Sequence, residues 1–280
     1  MARPAKDGRV SVRRQPSASD DFPWWLVAII AIGLVLAVLI AMNGLYTQVF
    51  NTVIKGVGMT VFVTLVAFAL ASLWGLVIAV LGMADHILPR QIARFYIETV
   101  RGIPVLVVLF FIAFVGAPAV VGAINWMMTP LVQAGWMEAM LVRDFSLTWR
   151  AILALTICYA AFIAEIFRAG IEAVDQGQIE AAKALGLNRF QRFRLVIFPQ
   201  AIRTIFPPLS NDFVSMVKDS SLVSVLGVMD ITQLGKVYAA GSFRFFETYS
   251  IVAYIYLILT LGLSLVLRRV ERSLRRSPRG

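Results

Sequence analysis

EAAKALGLNRFQRFRLVIFPQA, Glu180 to Ala201, is too polar to enter a bilayer, yet it stands between two stretches that are apolar enough to do so. The run EAAKAL is made of good helix formers, and Gly186 occupies the place of a left-handed C-terminal cap. Asn188 then caps a second helix, with Gln191 three residues on as its capping-box partner. Phe190, Phe193 and Ile197 share one stripe of that helix, Arg189 and Arg192 lie off it, and Pro199 is expected to end it. The spacing predicts a basic helix-turn-helix along the inner face of a membrane. Ala181, Ala182 and Ala184 are small enough to let another surface come close. From these residues alone, that surface is either lipid headgroups or a protein.

Composition supplies the membrane. Of 280 residues, 59% are hydrophobic and 15% charged, with mean hydropathy +0.80, beyond what an ordinary soluble domain shows. The fold class is therefore an all-α integral membrane protein. Cys158 is the single cysteine and His86 the single histidine, so neither a disulfide framework nor a histidine metal cluster is available. We expect no catalytic residue, metal or cofactor. The P-loop pattern G-x-x-x-x-G-K-[ST] does not occur, so the chain has no phosphate-cradling loop of its own.

A crossing helix needs about 20 mostly apolar residues. Six stretches qualify, at 24–42, 56–83, 91–116, 148–171, 202–229 and 248–267. They form one transmembrane domain, 24–267, with a basic tail on each side, 1–23 and 268–280. The Lys and Arg of both tails, of the loop with Arg90 and Arg94, and of the opening stretch place all of these in the cytoplasm by the positive-inside rule. Much of the net charge of +10 is thereby assigned to topology and membrane lipids, and no nucleic-acid partner is implied. The first stretch is read as a retained helix, because it is long for a signal peptide and no A-x-A site follows. Residues 117–147, apolar but interrupted by Pro130 and Gly135, read as an outer interfacial or re-entrant insertion.

Ionisable residues inside spans are costly and face a cavity or a partner. The fifth span is densest: Asn211, Ser215 and Lys218 fall within about 60° of one another at 100° per residue, flanked by Asp212 and Asp219 on one side and Ser221 on the other. Lys218, near the middle of that span, suits a substrate carboxylate and Asp219 an α-amino group; a structural pair between Lys218 and a carboxylate on another helix is the competing reading. Glu98 and Arg101 on the third span, and Glu165, Arg168 and Glu172 on the fourth, sit three or four apart. They read as internal ion pairs or as pathway groups, Glu165 being the deepest. Ala67, Ala71, Gly75 and Ala79 recur every fourth residue on the second span. They read as a close-packing face, within the subunit or across a dimer.

As a pattern, the opening stretch is EAA, three residues, Gly186, nine residues, Val196, one residue, Phe198, Pro199. It resembles the EAA loop of ABC-importer permease subunits, with Val196 and Phe198 where that family has Ile and Leu. The similarity continues from AFIAEIFRAGIEAVDQGQ (Ala161 to Gln178) to VKDSSLVSVLGVMDIT, ending at Thr232, and upstream in FYIETVRGIPVLV (Phe95 to Val107). Together these resemble the polar-amino-acid permeases of the histidine, glutamine and glutamate branch over roughly Asn51 to Leu267. The first helix and the 117–147 insertion depart from the pattern. The resemblance implies the type I importer permease fold and a cytoplasmic coupling loop at 172–201. In that loop Glu180, Ala181, Ala182, Gly186 and Pro199 serve a docked ABC ATPase dimer. It also implies a second permease subunit, identical or sibling, a periplasmic solute-binding protein, an amino-acid substrate and the bacterial inner membrane. The alternative from the residues themselves is a self-sufficient secondary transporter using Lys218 and Asp219 as a proton-linked site.

Overall fold

Long runs of Leu, Val, Ile, Ala and Phe satisfy their backbone hydrogen bonds within one segment only as helices, which is the structure a bilayer demands. The computed structural model describes residues 24–275, and among them there is helix and no strand. The N-terminal tail and the end of the C-terminal one lie outside the described residues. Helix α1 is Trp24–Met42, matching the expected bounds, and α2, Gly44–Val53, follows after an Asn43 cap whose side chain accepts from Leu45 N. A 3₁₀ turn leads into α3, Val57–Gly82.

The expected third span, 91–116, is two helices that meet at a break. Helix α4, Ile87–Gly102, ends where Ile103 and Pro104 become extended, because proline pushes the residue before it out of helical geometry. Helix α5, Val105–Phe111, then runs through a π turn at Ile112–Gly116 into α6, Ala117–Met127. The apolar crossing is therefore Val105–Met127. Residues 117–127 belong to it rather than to the insertion. Only 128–146 is irregular, holding the short α7, Thr129–Gln133, and a 3₁₀ turn at Val142–Asp144. Arg150 ties this segment down by donating to the carbonyls of Phe145, Ala113 and Val142. The Asn125 amide bonds both backbone groups of Met140 at 2.8 Å.

Helix α8 is Leu147–Glu172, and its packing against α3 makes the main core. Ala67, Ala71, Gly75 and Ala79 of α3 are all buried, so the small-residue face is an intrasubunit contact. A Cβ on Gly75 would stand 3.0 Å from the Ala160 carbonyl oxygen. Such close approach replaces the missing hydrophobic drive in lipid with dispersion contacts.

The chain continues through α9, Gln176–Ala184, and α10, Arg189–Arg192, into a π turn and α11, Phe198–Asp219. Pro199 does not end the second basic helix: it sits in the first turn of α11, where its missing N–H costs nothing. Three-ten turns over Ser220–Leu226 close at Gly227, φ 82°, so the expected fifth span to 229 is helical only to 219 in the α sense. Helix α12, Ile231–Ser242, was not foreseen, being shorter than a span. Asp230 caps it, accepting from Gln233 N at 2.8 Å and from the Tyr256 hydroxyl at 3.1 Å. Helix α13, Phe245–Arg275, outruns the expected 248–267, since Arg268 to Arg275 are good helix formers that carry it past its apolar part.

Four stretches are long and apolar enough to cross a membrane, Gly44–Gly82, Val105–Met127, Leu147–Glu172 and Phe245–Leu274, with a shorter apolar helix at Val27–Met42. Helix α11 is not among them, because Arg203, Asp212, Lys218 and Asp219 interrupt its apolar positions. Six spans were expected, and by length and composition four of the described stretches qualify.

Candidate functional site: a capped helix pair and a charged hollow

Helix α9 is fixed at both ends by its own sequence. Asp175 accepts from Gln178 N at 3.2 Å at the start. At the other end Gly186, φ +76°, donates to Lys183 O at 3.0 Å and Leu187 N donates to Ala182 O at 3.1 Å, the two bonds of a Schellman cap. The expected capping box follows, Gln191 N to Asn188 Oδ1 at 2.9 Å and Asn188 N to Gln191 Oε1 at 3.0 Å. Ala182 is buried, whereas Ala181 and Glu180 are exposed. Leu185 is 80% exposed and Phe190 69%, so the pair presents an apolar edge to whatever lies outside.

This pair is not loosely hung. Val174, Ala201 and Ile205 form a buried cluster joined by Ile171, Ile179 and Ile197, and Gln200 Nε2 donates to Gln178 Oε1 at 2.8 Å. A Cβ on Gly170 would meet Ile205 Cγ1 at 2.2 Å, so α8 and α11 touch at backbone distance. The α9–α10 pair is thus packed against α8 and α11 together.

The charged groups assemble differently from their spacing. Arg101 pairs with Glu165 across helices, not with Glu98, and its guanidinium lies 5.4 Å from the Phe162 ring centroid. The reason is the break at Pro104, which places Arg101 at the end of α4 beside α8 instead of inside a continuous span. Glu165 also accepts from Arg168 at 2.7 Å, and Arg168 reaches Glu172 at 3.1 Å, as the three-four spacing predicts. Glu98 faces a hollow of about 620 Å³ shared with Glu165, Arg168 and Glu172.

The α11 stripe is split. Asp219 Oδ2 accepts from the Tyr159 hydroxyl of α8 at 2.8 Å, while Asn211 lines a hollow of about 190 Å³ against Ser264, Arg268 and Glu271 of α13. Lys218 is exposed and forms no ion pair among the described residues. It stands one residue from the end of α11 rather than at mid-span, because the α-helix stops at 219. Ser215 is half-buried on α11, and Ser221 lies beyond it, on the 3₁₀ turn. Sequence reasoning missed Tyr159, whose partner is sixty positions away, and that Arg90 and Arg94 line the same hollow as Glu98.

Helices long and apolar enough to cross a membrane, with a capped polar helix pair packed against α8 and α11, describe an all-α membrane protein. The family model described as "Binding-protein-dependent transport system inner membrane component" matches residues 71–276, and the chain belongs to that family. The probable amino-acid permease protein YxeN of Bacillus subtilis strain 168 is 36% identical over 225 residues, 80% of this chain and 92% of its own length. The glutamine transport system permease protein GlnP of Escherichia coli K12 is 34% identical over 222 residues, 79% of this chain and 92% of its own. Among solved structures, a chain of an amino acid ABC transporter crystallised with histidines has TM-score 0.65 at 38% identity, covering 81% of this chain and 95% of that one. A chain of the inward-facing MetNI methionine ABC transporter, TM-score 0.59 at 20% identity over 80% of this chain and 96% of that one, shares the fold. Membership in a binding-protein-dependent family decides against the self-sufficient proton-linked alternative.

Proposed function

We propose that this chain is the permease subunit of an ATP-driven importer that carries polar amino acids across the bacterial inner membrane. The observation that carries the reading is the double-capped α9–α10 pair, exposed on one edge and fastened on the other to α8 and α11. A cytoplasmic ATPase dimer docks on that pair through Glu180, Ala181, Ala182 and Gly186, with Pro199 setting where α11 starts. A periplasmic solute-binding protein delivers the amino acid, and a second permease subunit, identical or sibling, completes the path. The similarity to amino-acid permeases supports the substrate class.

Nucleotide binding and hydrolysis move α9, and the shared packing at Val174, Ala201 and Ile205 moves α8 and α11 with it. The opening therefore alternates between sides, driven by the different affinities of nucleotide for the two motor states. Along that path Lys218 receives the substrate carboxylate. Asp219, held by Tyr159, receives the amino group, with Asn211, Ser215 and Ser221 as polar lining and Arg101, Glu165 and Glu98 at the other end. Purification of the tagged chain from its native membrane tests the assembly. It should bring down an ATPase carrying a P-loop and a second permease chain, whereas a chain that purifies without any ATPase contradicts the proposal.

A further inference from the structure

The hollow of about 620 Å³ between α4 and α8 has two unlike walls. On α8 the charges are occupied: Glu165 takes Arg101 and Arg168, and Arg168 also holds Glu172. On α4, Arg90, Arg94 and Glu98 follow one another at four-residue intervals on a single stripe. None of the three has an ion pair or side-chain hydrogen bond among the described residues. Arg and Glu four apart on a helix ordinarily attract one another, yet here the pair stays open over a space of ligand size.

The unoccupied groups are guanidinium and carboxylate side by side. A phosphate would meet Glu98 with Glu165 and Glu172 behind it, and a simple cation would meet two free arginines. A molecule with a carboxylate and an ammonium on one carbon answers both, because each charged hydrogen bond then has its complement. The hollow also adjoins Glu172, three residues before the Asp175 cap of α9, so it lies on the side of the coupling pair. We infer that it is an exit subsite for the free L-amino acid, with Arg94 and Arg90 receiving the α-carboxylate and Glu98 the α-ammonium. The inference rests on the transport function proposed above. A filled subsite holds α4 against α8 and slows the return to the outward state.

The test uses vesicles containing the complete transporter, with ATP inside and the binding protein and radiolabelled amino acid outside. The probe is whichever of L-glutamine, L-histidine and L-glutamate is carried best. Inside, the unlabelled amino acid is compared with its α-amide, which lacks the carboxylate, and with its 2-hydroxy analogue, which lacks the ammonium. The amino acid should slow uptake, and each analogue should need at least about tenfold more for the same effect. In Arg94→Gln the preference over the α-amide should vanish, and in Glu98→Gln the preference over the hydroxy analogue should vanish. Equal inhibition by all three compounds, or preferences unchanged in both variants, overturns the subsite while ATP-driven uptake leaves the transport reading standing. Absence of ATP-driven uptake in the unchanged protein overturns both.

Discussion

Gly186 shows how much one backbone angle carries. Its φ of +76° closes the Schellman cap of α9, and nothing stands within 4 Å of where a Cβ would be. A substitution there is therefore felt through the backbone alone. Gly186→Val forces a β-branched residue into the left-handed region at a cost of about 1–3 kcal/mol, which α9 relieves by unwinding at its C-terminal end. Membrane insertion should survive while ATPase co-purification and uptake both fall. Gly186→Asn, which tolerates this region, should keep both. Equal behaviour of the two variants would contradict a cap-dependent docking helix. This part of the fold was legible residue by residue, since Gly186, Asn188 and Gln191 act on neighbours within a few positions. Tyr159 with Asp219 was not, because nothing local marks a partner on another helix.

Among the elements, the capped helix pair was foreseen, whereas the break at Pro104 and the short helices held by tertiary contacts were not. Pro104 was in plain view, but the apolar average of 91–116 hid the break it makes. The consequence reaches the site: α4 ends at Gly102 and Arg101 turns to Glu165 on α8. The segment 128–146 depends on Arg150, whose fork serves the carbonyls of Phe145, Ala113 and Val142. Arg150→Met leaves those acceptors without their donor, each costing about 1–3 kcal/mol where it stays buried. The unfolding temperature in detergent should drop by several degrees, and proteolysis should begin within 128–146. Arg150→Lys should not restore it, because an ammonium lacks the planar fork; full rescue by lysine would show that charge alone suffices. On α11, Lys218→Met should lower uptake at least about tenfold through loss of a charged hydrogen bond to substrate. The amount of assembled complex should not change. Normal uptake per assembled complex would remove Lys218 from the path.

For the whole molecule, hydropathy and charge foretold an all-helical membrane protein with its basic helix pair on one side, and the EAA pattern foretold the family. What they left open were the short helices α2 and α12, too brief to register as spans and held by tertiary contacts such as Asp230 with Tyr256. Topology is open to direct labelling in a Cys158→Ala background, Cys158 being buried. A cysteine at Gly241 should react with an impermeant thiol reagent outside intact cells, and one at Lys183 should not; the reverse would invert the molecule. In the function proposed above, this subunit converts motion of α9, supplied by an ATPase, into amino-acid translocation. Its most direct measurement is uptake of radiolabelled polar amino acids into vesicles holding the permease with its ATPase and binding protein, under ATP alone and under a proton gradient alone. Uptake should occur with ATP, stop when ATP or the binding protein is withheld, and be absent under the gradient. Uptake driven by the gradient without ATP would contradict that function.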